Sequence, residues 1–469
     1  MNGNGSAAKE LKRLLGEGSV RTGPRALASY FAEPVEGADM TVVMPRDVNQ
    51  LADVAAFSSE NEIPLFSIKR KTDGGNLSGR KGILVDLSGM NKIKKIDVKN
   101  LTANVYAGVT FEQLAKELAK ENQRLLYPIA GTSPYILRSY MDRDVLMGEG
   151  GYRHPHISVF HAMMASGEMW VSGSQQLTDE GHADFREDQG PQFSPFFGAS
   201  EDIFGIPYYG LVYTYPNREA RKLAAFGFDD LASARDLLYK VSRAEWCFEA
   251  FAANDRYLSV ILADGDAGAV AGMKKKLNPW TVVFTMEHYK DLVELWDKYI
   301  REAAKDLGAK ALKGQVPEMC EKALMGPWNI YDRDFFKGRT KDVNCYNYFK
   351  NVPDTFAAID EQAASAGYKP EDLGKVIVPI YFGASAYCEA DLYFDPADKK
   401  AAAAAASAQL KAYDSLIEAK AFIDRPRGQV AEKMYKSVMD PSYLNMIKLF
   451  KKTVDPKGLV NPDQLLEGV

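Results

Sequence analysis

The first quarter of the chain alternates short aliphatic or β-branched runs with amphipathic stretches. Thr41 to Val43 is a β-branched run that stops before Pro45. From Asp47, the apolar positions Val48, Leu51 and Val54/Ala55 recur on one face, which predicts a helix. Ile63 to Ile68 and Ile83 to Leu87 predict two further strands. Lys94 to Ala107 reads as a hairpin turning at Lys99-Asn100, with Ala103, Val105 and Ala107 alternating. Thr110 with Gln113 is a capping-box pattern, so a helix is expected over Phe111 to Glu121. Ahead of all this, residues 1–37 read as a lead-in: a short helix over Ala7 to Leu15, then a loop with Tyr30 and Pro34.

The texture changes after residue 217. Helical patterns at Asp229 to Val241, His288 to Leu307 and Pro353 to Ala366 alternate with β runs at Tyr257 to Leu262, Trp280 to Met286, Lys375 to Phe382 and Ala390 to Phe394. That is an α+β arrangement, with helices covering one face of an antiparallel sheet. The alanine run Ala401 to Ala406 opens a helix expected over Asp398 to Ala419, its core face marked by Leu410, Tyr413 and Leu416. Helical portions at Gln429 to Met439 and Ser442 to Thr453 follow. The polar, acidic stretch Leu177 to Gly190 reads as a surface excursion.

Composition narrows the classes. A chain of 469 residues with 46% hydrophobic and 26% charged positions can bury a large core over two or three units. A net charge of −5 gives no global electrostatic reason to bind nucleic acid. The four cysteines, Cys247, Cys320, Cys345 and Cys388, are scattered without a C-x-x-C pair, which argues against a disulfide framework or an iron–sulfur cluster. No run approaches the roughly 18 apolar residues of a membrane span, and the beginning of the chain lacks an apolar signal core. A soluble, cytoplasmic protein is expected.

Chemistry concentrates in a loop. Lys69, Arg70 and Lys71 stand beside Thr72, Asp73, Gly74, Gly75 and Asn76, between two expected strands. Small residues free backbone N–H groups to face an anion, and the cations add charge, which suits a pyrophosphate. The plain alternative is a solvated turn. His154, His156 and His161 raise a metal reading, because His-x-His on a strand shares one face. No cysteine and no placed carboxylate beyond Glu149 and Glu168 completes a set, so no metal is expected.

Several pieces in one order change the weight of the loop. Pro45, a helix, Ile63-Pro64, the basic Gly-bearing loop, Asp86-Leu87, Met90-Asn91-Lys92-Ile93 and Ala107-Gly108-Val109-Thr110 together resemble the flavin-binding domain of the vanillyl-alcohol oxidase and p-cresol methylhydroxylase superfamily. Gly167-Glu168 followed by Met169 to Ser172, the segment from Ser200 through Gly205-Ile206 to Pro216, and the closing Asp455-Pro456-Lys457-Gly458-Leu459-Val460-Asn461-Pro462 resemble further pieces of it. The resemblance implies an α+β fold: a two-subdomain FAD-binding domain at 1–216, an α+β cap (substrate) domain with an antiparallel sheet at 217–404, and a segment at 405–469 returning to the FAD domain. It implies FAD as cofactor, with Ser67, Lys69 to Asn76, Gly131, Thr132, Ser200, Gly205, Ile206 and Asn461 at the nucleotide.

For catalysis it points to Arg425 and Arg427 in FIDRPRG, where relatives keep an arginine that stabilises reduced flavin or a phenolate, and to Tyr387. Tyr387 lies in the cap segment where relatives attach the flavin covalently; an ordinary pocket tyrosine is the alternative. With no histidine there or in the loop 69–76, a histidyl link at either place is excluded. The chain also departs from the pattern. Tyr127 to Gly151 lacks the usual glycine run, the loop 69–76 lacks a tyrosine, Phe196 or Phe197 replaces an aspartate, and Asp463 replaces the closing glycine. The implied function is an FAD-dependent oxidase or dehydrogenase acting on a small aromatic or alcohol-bearing substrate, with oxygen or a redox partner protein as acceptor, in an oligomer. The alternatives are a glycolate- or D-lactate-type 2-hydroxyacid dehydrogenase and a degenerate flavin-binding subunit of a larger redox complex.

Overall fold

The computed structural model describes residues 3–28, 30–31, 35–67, 77–129, 133–147, 156–176, 186–263, 266–325, 336–426 and 428–462. Two sheets form the part of the chain before residue 217. The first joins β1 (Val20–Thr22), β2 (Asp39–Val43), β3 (Leu65–Ser67) and β4 (Lys81–Val85) in the order β1-β2-β4-β3. β4 lies parallel to both β2 and β3, so the helix Val48–Asn61 makes the crossover that parallel strands require. Asp47 starts that helix, its carboxylate accepting from Gln50 N at 2.9 Å. β3 and β4 approach so closely that a Cβ at Gly82 would lie 2.4 Å from the Pro64 carbonyl oxygen. Gly82→Ala is therefore expected to lower stability by about 1–3 kcal/mol. A thermal melt coinciding with the wild type would show that this contact does not set the strand spacing.

The second sheet is antiparallel. It contains β5 (Ile93–Asp97), β6 (Thr102–Tyr106), β8 (Ile157–Met163), β9 (Met169–Val171) and β10 (Ile206–Tyr213) in the order β5-β6-β10-β8-β9. A two-stranded ribbon pairs β7 (Gln123–Arg124) with β11 (Tyr215–Pro216). The cap sheet follows: β12 (Ala220–Phe228), β13 (Glu249–Asn254), β14 (Trp280–His288), β15 (Lys310–Ala311), β16 (Arg339–Tyr348), β17 (Gly374–Ile380) and β18 (Ser385–Phe394). Its order is β15-β12-β14-β13-β17-β18-β16, antiparallel throughout.

Strand alternation sorts the cap's side chains. Ala250, Ala252, Ile377, Cys388 and Ala390 enter the core beneath the helices Leu231–Arg243, Lys290–Asp306, Val352–Ser365 and Lys399–Glu418. Phe251, Val376, Val378 and Tyr387 enter the opposite core, which also takes Ile129, Val145 and Met147 from the part before residue 217. The helices Asp255–Leu262 and Gln315–Met325 lie on that second face as well, so helices cover both faces rather than one. The expected division at 404 falls inside the helix Lys399–Glu418, whose Ala405, Ala408, Ala412 and Leu416 belong to the cap core.

Three local expectations are corrected. Tyr257 to Leu262 is helical, not a strand: Asn254 caps it by accepting from Tyr257 N at 2.9 Å, and Tyr257, Leu258 and Leu262 share the buried face. A short apolar run satisfies both periods, and the cap decides it. At the helix Phe111–Lys120 only half of the capping box forms. Thr110 accepts from Gln113 N at 3.1 Å, but Gln113 Nε2 donates to the Asn91 carbonyl at 2.9 Å instead of supporting the cap. The stretch ending at Gly190 is not all surface either. Asp188 is buried and accepts from the backbone N–H groups of Gly173, Phe193 and Ser194, pulling the chain on either side together.

A buried ion network joins the two parts. Arg124 of β7 lies 3.3 Å from Glu249 and 2.9 Å from Glu287, both on the cap sheet. Arg221 contacts Glu249 at 3.1 Å, Glu321 at 2.6 Å, and Glu287. Thr285 Oγ1 donates to Glu249 at 2.8 Å, and the Arg124 guanidinium covers the Phe248 ring at 4.6 Å.

Candidate active site

The carboxyl end of β3 is where the basic Gly-bearing loop begins, and three distant parts of the chain meet there. Ser67 N donates to Asn461 Oδ1 at 3.0 Å, and Ser67 Oγ donates to Asp202 Oδ2 at 2.7 Å. Asn461 Nδ2 donates to Ser67 Oγ at 3.1 Å and to the Asp202 carbonyl at 3.3 Å. The motif that closes the chain's pattern explains how Asn461 arrives. The Asp455 carboxylate accepts from Leu459 N at 3.0 Å and Val460 N at 2.8 Å, and Gly458 takes a left-handed φ of 63° between them. Leu65 N then donates to the Leu459 carbonyl at 2.8 Å, and Asn461 N to the Leu65 carbonyl at 2.7 Å, so residues 459–461 add to the free edge of β3. Asn461 has φ 42°, a conformation that Asn tolerates better than most residues.

Asp202 comes from a tight turn in which Ala199, Glu201 and Asp202 all take left-handed φ values, 55°, 55° and 56°. Backbone strain of this kind persists only where the surroundings hold it. Here Asp202 is held by Ser67 and by Arg138. Ser200 is buried and donates its hydroxyl to the Phe197 carbonyl at 2.9 Å, so only its backbone remains for a ligand. Gly205 follows, where a Cβ would stand 3.1 Å from both the Met163 carbonyl and Met164 Sδ, and Ile206 opens β10. Lys69 to Asn76, Gly131, Thr132 and Arg427 lie outside the described residues.

From Asp202 a chain of charged groups runs toward the cap. Arg138 grips Asp142 through Nε (2.8 Å) and Nη2 (2.6 Å), and it pairs with Asp202 on its other side. Burial pushes the Arg138 guanidinium pKa down, but Asp142, Asp202 and Glu201 more than offset this and hold it above the ordinary value. Arg425 Nη1 stands 3.5 Å from Asp144 and its Nε 3.7 Å from Asp424. Its pKa is likewise raised well above the ordinary value: burial opposes the charge, and Asp144, Asp142 and Asp424 outweigh it. Arg143 pairs with Asp424 at 2.7 Å, and Ser139 Oγ donates to Asp144 at 2.8 Å.

Arg425 reaches the cap because Tyr346 of β16 and Phe422 exchange backbone hydrogen bonds of 2.8 and 2.9 Å. Tyr346 pairs in register with Tyr387 of β18, ring centroids 5.3 Å apart, and its ring also lies 5.9 Å from that of Phe422. Tyr387 is buried and donates its hydroxyl to Glu389. Burial, the Glu389 carboxylate and Tyr346 push its pKa well above the ordinary phenol value. The fold thus gathers the expected residues into two groups: Ser67, Ser200, Gly205, Ile206 and Asn461 around the end of β3, and Tyr387 with Arg425 at the cap's edge. Arg138, Asp142, Asp144, Asp202 and Glu389 were not expected there. The Arg138-x-x-x-Asp142 spacing is a readable helical ion pair; nothing local marks Asp202 or Glu389.

Two of the described histidines have hydrogen-bond partners within the fold. His156 contacts the Tyr215 hydroxyl at 3.1 Å, and His161 Nε2 contacts Gln175 at 2.7 Å; His154 lies outside the described residues. Among the described residues no group of three or more His, Cys, Asp or Glu is arranged to hold a metal. Among them, too, no helix is long and apolar enough to cross a membrane.

Residues 40–135 match the family described as FAD binding domain. The chain carries that domain and has the fold of the vanillyl-alcohol oxidase and p-cresol methylhydroxylase superfamily, with FAD as its cofactor. It is similar to p-cresol methylhydroxylase with substrate bound, at a TM-score of 0.83 and 17% identity over 98% of this chain and 96% of that one. It is 23% identical over 231 residues to the glycolate oxidase subunit GlcD of Bacillus subtilis (strain 168), covering 47% of each. To the 4-cresol dehydrogenase [hydroxylating] flavoprotein subunit of Pseudomonas putida it is 27% identical over 178 residues, 36% of this chain and 34% of that one. The matched stretch thus spans about half or less of the curated relatives' length.

The residues present fit FAD. A ligand at the carboxyl ends of parallel strands is the usual arrangement in α/β units, and the loop at that end of β3 begins at a fully hydrogen-bonded serine. At Gly205 a side chain would crowd the Met163 carbonyl and Met164 Sδ, so glycine lets the neighbouring segment pack closely.

Proposed function

We propose that this chain is an FAD-dependent oxidoreductase that oxidises a small, uncharged aromatic or alcohol-bearing substrate by hydride transfer. The observation that carries the reading is the convergence of Tyr346, Tyr387 and Arg425 on the segment holding Asp142 and Asp144, where the cap sheet meets the flavin-binding part. Bound FAD supplies the two-electron acceptor. In this reading Ser67, the loop 69–76, Gly131, Thr132, the Ser200 backbone, Gly205, Ile206 and Asn461 hold the nucleotide, and Arg427 lies close to Arg425 in sequence. Tyr346 and Phe422 offer aromatic faces for stacking, and Phe422 is solvent-exposed.

Charge favours this substrate class over a 2-hydroxy acid. Arg138, Arg143 and Arg425 already face Asp142, Asp144, Asp202 and Asp424. Among the described residues, three cations against four carboxylates leave no surplus positive charge there to receive a substrate carboxylate. The names of the 4-cresol dehydrogenase subunit and of p-cresol methylhydroxylase point the same way. Tyr387 fits a pocket residue better than a covalent anchor, because its hydroxyl is committed to Glu389 and its ionisation is suppressed. A cytoplasmic setting, with dioxygen or a redox protein as acceptor, completes the proposal, as does a division into flavin-binding and cap domains near residue 217.

The test is anaerobic reduction of the purified holoprotein. A 4-alkylphenol or benzylic alcohol is expected to bleach the flavin band, glycolate and D-lactate are not, and acid precipitation should release all flavin into the filtrate. Bleaching by lactate alone would move the protein to the 2-hydroxy-acid class. A colourless protein that takes up no FAD would refute the whole reading.

A further inference from the structure

The four cysteines are far apart in the chain, yet the cap sheet sets two of them opposite each other. Cys345 of β16 and Cys388 of β18 are direct cross-strand partners in an antiparallel pair. Both are fully buried and enter the same core, beneath the helices Val352–Ser365 and Lys399–Glu418. Both are free thiols.

Backbone bonding fixes their spacing. Along an antiparallel strand, residues alternate in which neighbour receives both their N–H and their C=O. Tyr346 spends both on Phe422, on the side of β16 away from β18. Asn344 likewise turns its N–H away from β18, to the Tyr413 hydroxyl at 3.2 Å. Cys345, between them, therefore turns toward β18 and forms a hydrogen-bonded pair with Cys388. Such pairs hold their Cα atoms about 5.5 Å apart, and disulfides favour a separation of about 5.5–6 Å. Directly opposed residues also share one face of the sheet, so the two side chains leave the backbone together.

Position in the sheet governs access. Burial pushes the Cys345 thiol up to about 12 and holds the Cys388 thiol well above its ordinary value, so in the closed sheet both stay protonated and slow to react. But β16 is the outermost strand of the cap sheet, paired along its length on one side alone. Local opening starts at such weakly held elements, and it would bring the thiols to water and to a small oxidant.

We propose that Cys345 and Cys388 are a redox dithiol site, which a hydroperoxide closes into a cross-strand disulfide that pins β16 to the cap sheet. One thiolate attacks a peroxide oxygen and becomes a sulfenic acid, while the departing hydroxide takes up the proton the thiol gave and leaves as water. The second thiol attacks that sulfur, forms the S–S bond and expels a second water. Two thiols and one hydrogen peroxide thus give one disulfide and two waters, the sulfurs losing two electrons and the peroxide gaining them. The bond would lie one residue along each strand from the paired Tyr346 and Tyr387.

The flavin-loaded full chain is treated with hydrogen peroxide, then denatured and alkylated with N-ethylmaleimide. Untreated protein should take up a maleimide on each of its four cysteines. Treated protein should label only at Cys247 and Cys320, and digestion should yield two peptides joined through Cys345 and Cys388. The oxidised chain should unfold at higher urea concentration, because the cross-link closes a long loop in the unfolded state, and dithiothreitol should return the midpoint to its starting value. Cys388→Ala, whatever its own stability, should give no joined peptides and no peroxide-dependent rise in midpoint. Full labelling after peroxide, sulfinic or sulfonic acid at either position without joined peptides, or an oxidised chain no more stable than the reduced one would each overturn the proposal.

Discussion

Replacing Glu249 by leucine is expected to cost about 3–5 kcal/mol of stability, the usual penalty for stripping one partner from a buried ion pair. Glu249 is the centre of the network between the two parts of the molecule, bonded to Arg124 on one side and Arg221 and Thr285 on the other. Without it, Arg124 keeps only Glu287, and a buried guanidinium loses half its compensation. Urea denaturation followed by tryptophan fluorescence would measure the loss. The double variant Arg124→Met/Glu249→Leu should recover part of it, because the orphaned charge is then gone. A single-variant cost below about 1 kcal/mol would show that this network behaves like a surface salt bridge and does not clamp the parts together.

The network also sets an acid limit. Burial raises the Glu249 pKa, but Arg124 and Arg221 outweigh it, so the folded pKa lies below the ordinary carboxylate value. A carboxylate depressed in the folded state contributes stability above its unfolded pKa, about 4.3. That contribution disappears as pH falls through the folded value. Wild-type stability should therefore decline on acidification below that point more steeply than that of Glu249→Leu.

Asp202→Asn is expected to weaken FAD binding by about ten- to a hundredfold, the scale of one or two charge-assisted hydrogen bonds. Asparagine keeps the shape and tolerates the left-handed φ of 56°, so the turn itself should survive. What it removes is the charge that holds Arg138 and receives the Ser67 hydroxyl. The loop 69–76 then starts from a serine with a weaker anchor. Titration of apoprotein with FAD, read by quenching of flavin fluorescence, measures the effect, and circular dichroism confirms the fold. An unchanged dissociation constant would mean that the cluster of Ser67, Asp202 and Asn461 is bystander structure.

Much of this molecule is legible in order along the chain, and the reasons are local. Asp47, Thr110 and Asp398 each cap a helix where the apolar spacing says one should begin. The hairpin of β5 and β6 turns at Lys99-Asn100 as its alternation requires. Local reading fails where two periods coexist, as at Tyr257 to Leu262, or where a polar run hides one buried carboxylate, as at Asp188. The stretch Tyr127 to Gly151 is instructive in another way. Judged by its missing glycines it looks like lost machinery, yet it carries Arg138, Asp142 and Asp144, the charged groups that connect the Ser67–Asp202 cluster to the cap.

By itself, then, the sequence determined most of the elements, because caps and periodicity are encoded within a few residues, and its ordered motifs pointed to the flavin-binding class. Only the tertiary structure decided that Ser67, Asp202 and Asn461 form one cluster, that Arg425 arrives already paired with acids, and that Tyr387 donates its hydrogen bond to Glu389. Those are contacts between residues far apart in the chain, or between neighbours whose side chains turn to the same face of a sheet. Their energy depends on burial and on which opposite charge is brought close, and neither quantity exists until the chain has packed.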